Sequence, residues 1–259
     1  MTASVAPIQR STRRLDRRTI IILTVAALAW AAVIAYARHM GNGVGTMGLS
    51  LVGFMAMWSL MMTAMMLPAV APVASLYART IGSDRPQRLI VFVGGYLAVW
   101  AAAGVPTYVA LRVIDDHVAN SAAAMRTVAV FLLSLAGIYQ LTPLKGVCLR
   151  HCRSPLNQLL QYGNIKGRAK DLKVAFHHAG FCLGCCWMLM ALFVAFGVMN
   201  IWAMLGLAVI VIAEKVLRHG ETIGRFAGAA FVVLAVLVAA SPRVANAVVP
   251  SAPATMTMM

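Results

Sequence analysis

The chain has 259 residues, of which 61% are apolar and only 11% charged, and a formal net charge of +15 from 22 Lys and Arg against 7 Asp and Glu. Uncharged stretches of about 18 to 24 residues recur along it, the length that crosses roughly 30 Å of hydrocarbon at 1.5 Å per residue. This composition excludes an ordinary soluble globule. It also argues against nucleic acid as a partner, because the basic residues sit between the apolar runs and there report topology.

Residues 1–19 form a basic tail, with Arg10, Arg13, Arg14, Arg17 and Arg18 leading into a first apolar span, Ile20 to Ala37. Ala35, Tyr36 and Ala37 would suit a signal-peptide cleavage site, but an 18-residue run with no polar segment before that site reads as a retained anchor. The second span, Ser50 to Val73, contains MAMWSLMMTAMMLPAVAP. Met57, Met61 and Met65 recur every four residues, and Met55, Met62 and Met66 line the adjacent stripe. Pro68 and Pro72 remove the donors that the carbonyls of residues 64 and 68 would use. Methionine is adaptable filler at a proline bend, yet six in twelve residues also fit a thioether path for a soft cation, with Met61, Met62 and Met65 at its centre.

The third span, Leu89 to Leu111, carries Gly94, Ala98 and Ala102 at four-residue spacing, which predicts a close-packing face. The fourth, Ala122 to Pro143, places Gln140 where an unpaired amide would be costly, so it is expected to bond a neighbouring helix. Residues 144–178 read as a cytoplasmic loop with Cys148, His151 and Cys152, then a helix starting at Ser154 and Pro155. Its Leu156, Leu159 and Leu160 stripe would lie flat on the membrane until Gly163.

The fifth span, Ala179 to Ile201, opens with AGFCLGCCWMLM, in which Cys182, Cys186 and Met190 share one helical stripe with Cys185 beside it. The sixth, Ile201 to about Leu217, ends with Glu214, expected to pair with Arg218, and Lys215, expected to snorkel to the headgroups. The seventh is Gly224 to Ala240, and 241–259 read as disordered. The sequence thus predicts an all-α polytopic bundle over 20–240 with seven spans, or six if the first is cleaved.

Placing the amino terminus inside puts 18 of the 22 basic residues on the cytoplasmic face, and only Arg38, Arg112, Arg126 and Arg243 outside. That asymmetry orients the chain with its N-terminus in and C-terminus out. All five cysteines then lie on or near the cytoplasmic side, where thiols stay reduced. Cys148-x3-Cys152 and Cys182-x2-Cys185-Cys186 leave and re-enter the same face and can form one site. Its donors, Cys148, Cys152, Cys182, Cys185 and Cys186 with His151 and Met190, suit copper(I) first, zinc second and an iron–sulfur cluster third.

MAMWSLMMTAMMLPAVAP, GGYLAVW, AGIYQLTPLKGVCLRHCRSP, GFCLGCCWMLM, FGVMNIW and AEK together resemble the bacterial predicted metal-binding integral membrane proteins, a family defined as a domain of unknown function. The resemblance covers roughly residues 47–220. It implies a multi-helix inner-membrane protein that binds metal, without an assigned activity. The matching positions are the five cysteines, Gln140, Pro143, Lys145, Trp187, Met188, Met190, Asn200, Glu214 and Lys215, whereas IWAMLG departs from the family pattern at Met204.

Three functions fit these features. One is transport or handling of a soft metal ion, copper(I) above others, with no enzymatic step required. The second is a membrane thiol oxidoreductase, and the third an assembly subunit with a zinc site. The bilayer and the ion are the partners implied; no protein partner can be read.

Overall fold

A computed structural model describes residues 17–40, 46, 48–81, 86–118, 121–154 and 169–249, and every regular element among them is α-helical. In chain order these are α1 (Arg17–Met40), α2 (Leu51–Ile81), α3 (Pro86–Ala102), α4 (Gly104–His117), α5 (Ala122–Leu141), α6 (Pro143–Arg153), α7 (Lys170–Phe196), α8 (Ile201–Val216), α9 (Gly220–Ala240) and α10 (Pro242–Val248). Six helices are long and apolar enough to cross a membrane, counting α3 and α4 as one 32-residue unit. The difference from seven lies at α8, whose 16 residues fall short of that length.

Local chemistry explains the breaks. Pro106 lacks the N–H that would bond the Ala102 carbonyl, and the helix is interrupted at Ala103. Trp58 Nε1 donates to the Trp100 carbonyl at 2.9 Å, taking the acceptor that Gly104 would use in an unbroken helix. A Cβ on Gly104 would sit 2.6 Å from that indole, so the close approach requires glycine. Between α5 and α6, the Thr142 hydroxyl donates to the Tyr139 carbonyl at 2.7 Å and accepts from the Lys145 N–H at 3.4 Å, while Pro143 opens α6. Gly197, at φ +87°, ends α7, and Asn200 Oδ1 caps α8 by accepting from the N–H groups of Trp202 and Ala203, each at 3.1 Å.

Several expectations shift. The described residues of what reads as the loop 144–178 are largely helical: α6 begins it and α7 already starts at Lys170, nine residues before Ala179. The expected surface helix from Pro155 to Gly163 lies outside the described residues, as do the tail residues Arg10, Arg13 and Arg14. The stretch expected to be disordered from 241 begins with helix α10. On α3 the small residues do not make the packing face: Gly94 and Ala98 point outward, whereas Phe92, Tyr96 and Trp100 are buried. Aromatic rings at four-residue spacing bury far more area than glycine and alanine, and they win the interior. The close approach falls one position later, at Gly95, where a Cβ would lie 2.9 Å from both Ala175 and Leu172 of α7.

The bundle is tied at its ends by charge. Arg88 of α3 grips Asp171, in the first turn of α7, through Nε at 2.9 Å and Nη2 at 2.7 Å, and Tyr77 of α2 donates to the same carboxylate. An acidic group there also meets the positive end of the helix dipole. Helices α5 and α9 pack closely where Gly137 and Gly228 bring the backbones together: a Cβ on Gly228 would stand 2.7 Å from Gln140 Cβ and 2.9 Å from the Gly137 carbonyl.

Gly228→Ala should therefore push α5 from α9 and cost about 1–3 kcal/mol, read as a lower unfolding temperature of the detergent-solubilised protein. Gly206→Ala, whose Cβ meets nothing within 4 Å, should be neutral or stabilising.

Candidate metal centre

The helix period places Cys148 and Cys152 one turn apart on α6, and Cys182, Cys185 and Cys186 on one face of α7. These two faces pack against each other. Cys152 Sγ lies 4.0 Å from Cys185 Sγ, and Cys185 Sγ lies 3.3 Å from Cys186 Sγ. The Cys185 thiol also donates to the Cys182 carbonyl at 3.2 Å. Cys148 is half-buried beside Gly184, where a Cβ would be 3.0 Å from its sulfur, so glycine makes the room. All five thiols are free.

Cys182 is fully buried and engages a different set. Lys215 Nζ donates to its sulfur at 2.8 Å, and the Tyr96 hydroxyl lies 2.9 Å away. Its neighbour His178 packs against the rings of Phe92 and Tyr96. His151, on α6, stacks on Phe181 with ring centroids 3.7 Å apart and meets His177 edge-on at 5.3 Å. Burial, and secondarily the neighbouring His177, hold His151 below the ordinary imidazole range; burial pushes the Cys148 thiol up.

Among the described residues no three His, Cys, Asp or Glu side chains are arranged to hold a metal ion. The sulfurs approach in pairs. Two metal–sulfur bonds of about 2.3 Å span at most about 4.6 Å, and the Cys152–Cys185 separation falls within that reach.

The other sequence-predicted residues fall elsewhere. Met61, Met62 and Met65 are buried in α2. That helix and α7 do not form an extended antiparallel pair; α3 packs on both. Met190 is buried in the wall of an apolar groove of about 770 Å³ with Trp58, Trp100 and Trp187.

Glu214 and Lys215 depart from expectation. Leu217 adopts extended backbone (φ −80°, ψ 149°) and ends α8, so Arg218 leaves the register in which it would meet Glu214. Glu214 turns inward, its two carboxylate oxygens accepting from Lys145 Nζ at 2.7 Å each, and Oε1 also from Gln140 Nε2 at 3.0 Å. Lys145 is 2% exposed and Glu214 0%. Gln140 does bond a neighbouring helix, as its position in the fourth span suggests. Lys215, expected to extend to the headgroups, donates to the Cys182 sulfur. The signal available in the sequence was adjacent ionisable residues inside a helix too short to span; Tyr96 carried none.

The fold and the site define an all-helical protein with membrane-spanning capacity and paired buried thiols. A family model described as PpoB2, copper chaperone, matches residues 55–238, a range that includes the methionine stripes, all five cysteines, Lys145, Glu214 and Lys215. The chain belongs to this family. No curated protein and no solved structure matches it.

Removing one member of the Lys145–Glu214 pair strands a buried charge. Lys145→Met or Glu214→Gln alone should cost about 3–5 kcal/mol, and Lys145→Met combined with Glu214→Met should recover most of it. Thermal unfolding in detergent measures both.

Proposed function

We propose that the protein is a bacterial inner-membrane carrier of copper(I), with its amino terminus inside, that takes up or gives up the ion through the thiols of α6 and α7. The observation that carries this reading is the 4.0 Å approach of Cys152 and Cys185 from separate helices in a member of a copper chaperone family. Thiolates are soft donors and favour copper(I). Sulfurs that meet in pairs, without a closed polyhedron, leave an ion coordinatively open, so that an incoming donor can displace one thiol at a time. Cys182, Cys186 and Cys148 supply further sulfurs along the same contact, and His151 borders it on the α6 side. The charge asymmetry of the sequence supports this orientation, in which this end faces the cytoplasm.

The methionines serve a second stage in the same reading. Thioethers are neutral and hold copper(I) more weakly than thiolates, which suits residues over which an ion passes. Met61, Met62 and Met65 are buried on α2, whose neighbours include α3, the helix that carries Tyr96 to Cys182. A thiol oxidoreductase remains the second reading, favoured by the same Cys152–Cys185 approach.

Cys152→Ser and Cys185→Ser should each lower copper(I) affinity at least tenfold in competition with a chromogenic chelator under reductant. Affinity should fall with falling pH because thiols must lose protons to bind. Since burial raises the Cys148 thiol, its contribution is reached only at higher pH than for an ordinary cysteine, and Cys148→Ser should flatten the alkaline end of the profile. Parent-like affinity in both Cys152→Ser and Cys185→Ser would transfer the case to the oxidoreductase reading.

Replacing Met61, Met62 and Met65 together with leucine preserves volume and apolarity at less than about 1.5 kcal/mol each. That variant should keep its thiol-bound copper in the purified state while changing copper tolerance of cells. Unchanged tolerance at normal protein levels would return the methionines to packing.

A further inference from the structure

Softness does not by itself separate copper(I) from zinc or cadmium, since thiolates bind all three. Ion charge does separate them, and the sulfur cluster has a cation built into its edge. Lys215 Nζ lies 2.8 Å from Cys182 Sγ, a sulfur with no solvent exposure that also meets the neutral Tyr96 hydroxyl at 2.9 Å and neighbours the Cys185 and Cys186 thiols and His178. Cys185 and Cys186 follow within one turn of the same helix, and the Cys185 thiol is bonded to the Cys182 carbonyl. Any ion held by Cys182 with Cys185 or Cys186 therefore has an ammonium as its close neighbour.

The carboxylates that could offset this ammonium are committed elsewhere. Glu214, adjacent in sequence and rotated by about 100° around α8, gives both oxygens to Lys145. Asp171 is held by Arg88 and Tyr77 at the start of α7. The ammonium is also fixed in place, because Arg153 of α6 donates to the carbonyls of Leu217 and Arg218 at 2.6 and 2.8 Å and so pins the end of α8 against the thiol-bearing helices. A lysine in a last turn is further favoured by the helix dipole.

We propose that Lys215 is a specificity-determining residue that selects monovalent soft ions, copper(I) or silver(I), over divalent ones. A fixed positive charge repels a divalent ion about twice as strongly as a monovalent ion at the same distance, and low-dielectric surroundings magnify the difference. Counted in charges, a monovalent ion and the ammonium against two thiolates leave a neutral buried site. A zinc or cadmium ion on the same two thiolates leaves one uncompensated positive charge, which is costly away from water. The inference rests on the sulfur-site reading above.

The test compares the full-length protein with Lys215→Met and Lys215→Arg in detergent and reductant, titrated with silver(I) or copper(I) in competition with cadmium(II) and zinc(II). Cadmium binding is followed by its thiolate charge-transfer absorption. The parent should prefer the monovalent ions; Lys215→Met should shrink the monovalent-to-divalent affinity ratio at least tenfold, and Lys215→Arg should restore it. Because the readout is a ratio within one sample, a partial loss of folded protein does not imitate it. If Lys215→Met lowers both affinities in parallel and leaves the ratio as in the parent, Lys215 has only a packing role and the inference fails. If the parent binds none of these ions, the sulfur-site reading itself fails, and this inference with it.

Discussion

The ion pair between Lys145 and Glu214 sets the frame for the rest of the bundle. Both charges are withdrawn from solvent, so neither can be left alone without a penalty of several kcal/mol, and helices α6 and α8 cannot slide past one another while the pair survives. Gln140 brings α5 into the same contact, and Gly224 brings α9, since a Cβ there would stand 3.1 Å from Glu214 Oε1. The consequence reaches the thiols directly. Cys148 and Cys152 lie three and seven residues after Lys145, on the same face of α6, so anchoring the lysine also fixes which way those sulfurs point.

Adjacent residues on a helix are rotated by about 100°, so Glu214 and Lys215 cannot serve one partner. The bundle uses this separation. Glu214 closes a structural network on the α5–α6 side, whereas Lys215 delivers a charge to the sulfurs of α7. Neither charge neutralises the other, which is why a cation persists beside the thiol cluster. In the proposed reading that arrangement suits a carrier: the thiols attract a soft ion, while the neighbouring charge and incomplete coordination keep it exchangeable.

Much of the fold was legible because its signals are local. Apolar run length is a property of contiguous residues, and it gives the helices able to cross a membrane; the Thr142-Pro143 start of α6 is equally local, yet it falls at the junction of an expected span and an expected loop. The errors arise where two local signals compete. On α3 a small-residue spacing and an aromatic spacing both had helical period, and the larger burial of Phe92, Tyr96 and Trp100 decided the inward face. At the end of α8 an i,i+4 pairing of Glu214 with Arg218 was available only if the helix continued, and Leu217 ended it.

By itself the sequence determined an all-α chain with several helices able to cross a membrane, and Cys182, Cys185 and Cys186 confined to one helical face, because hydrophobic period and residue spacing are properties of contiguous residues; that Cys148 and Cys152 also lie on a helix came with the structure. Which faces meet depends on contacts between residues far apart in the chain, and no local pattern encodes them. Only the tertiary structure decided that Cys152 approaches Cys185, that Lys145 and Gln140 converge on Glu214, and that Lys215 and Tyr96 share the sulfur of Cys182. Those pairings follow from the cost of burying a charge or an amide without a partner, which the chain could satisfy only after its helices had packed.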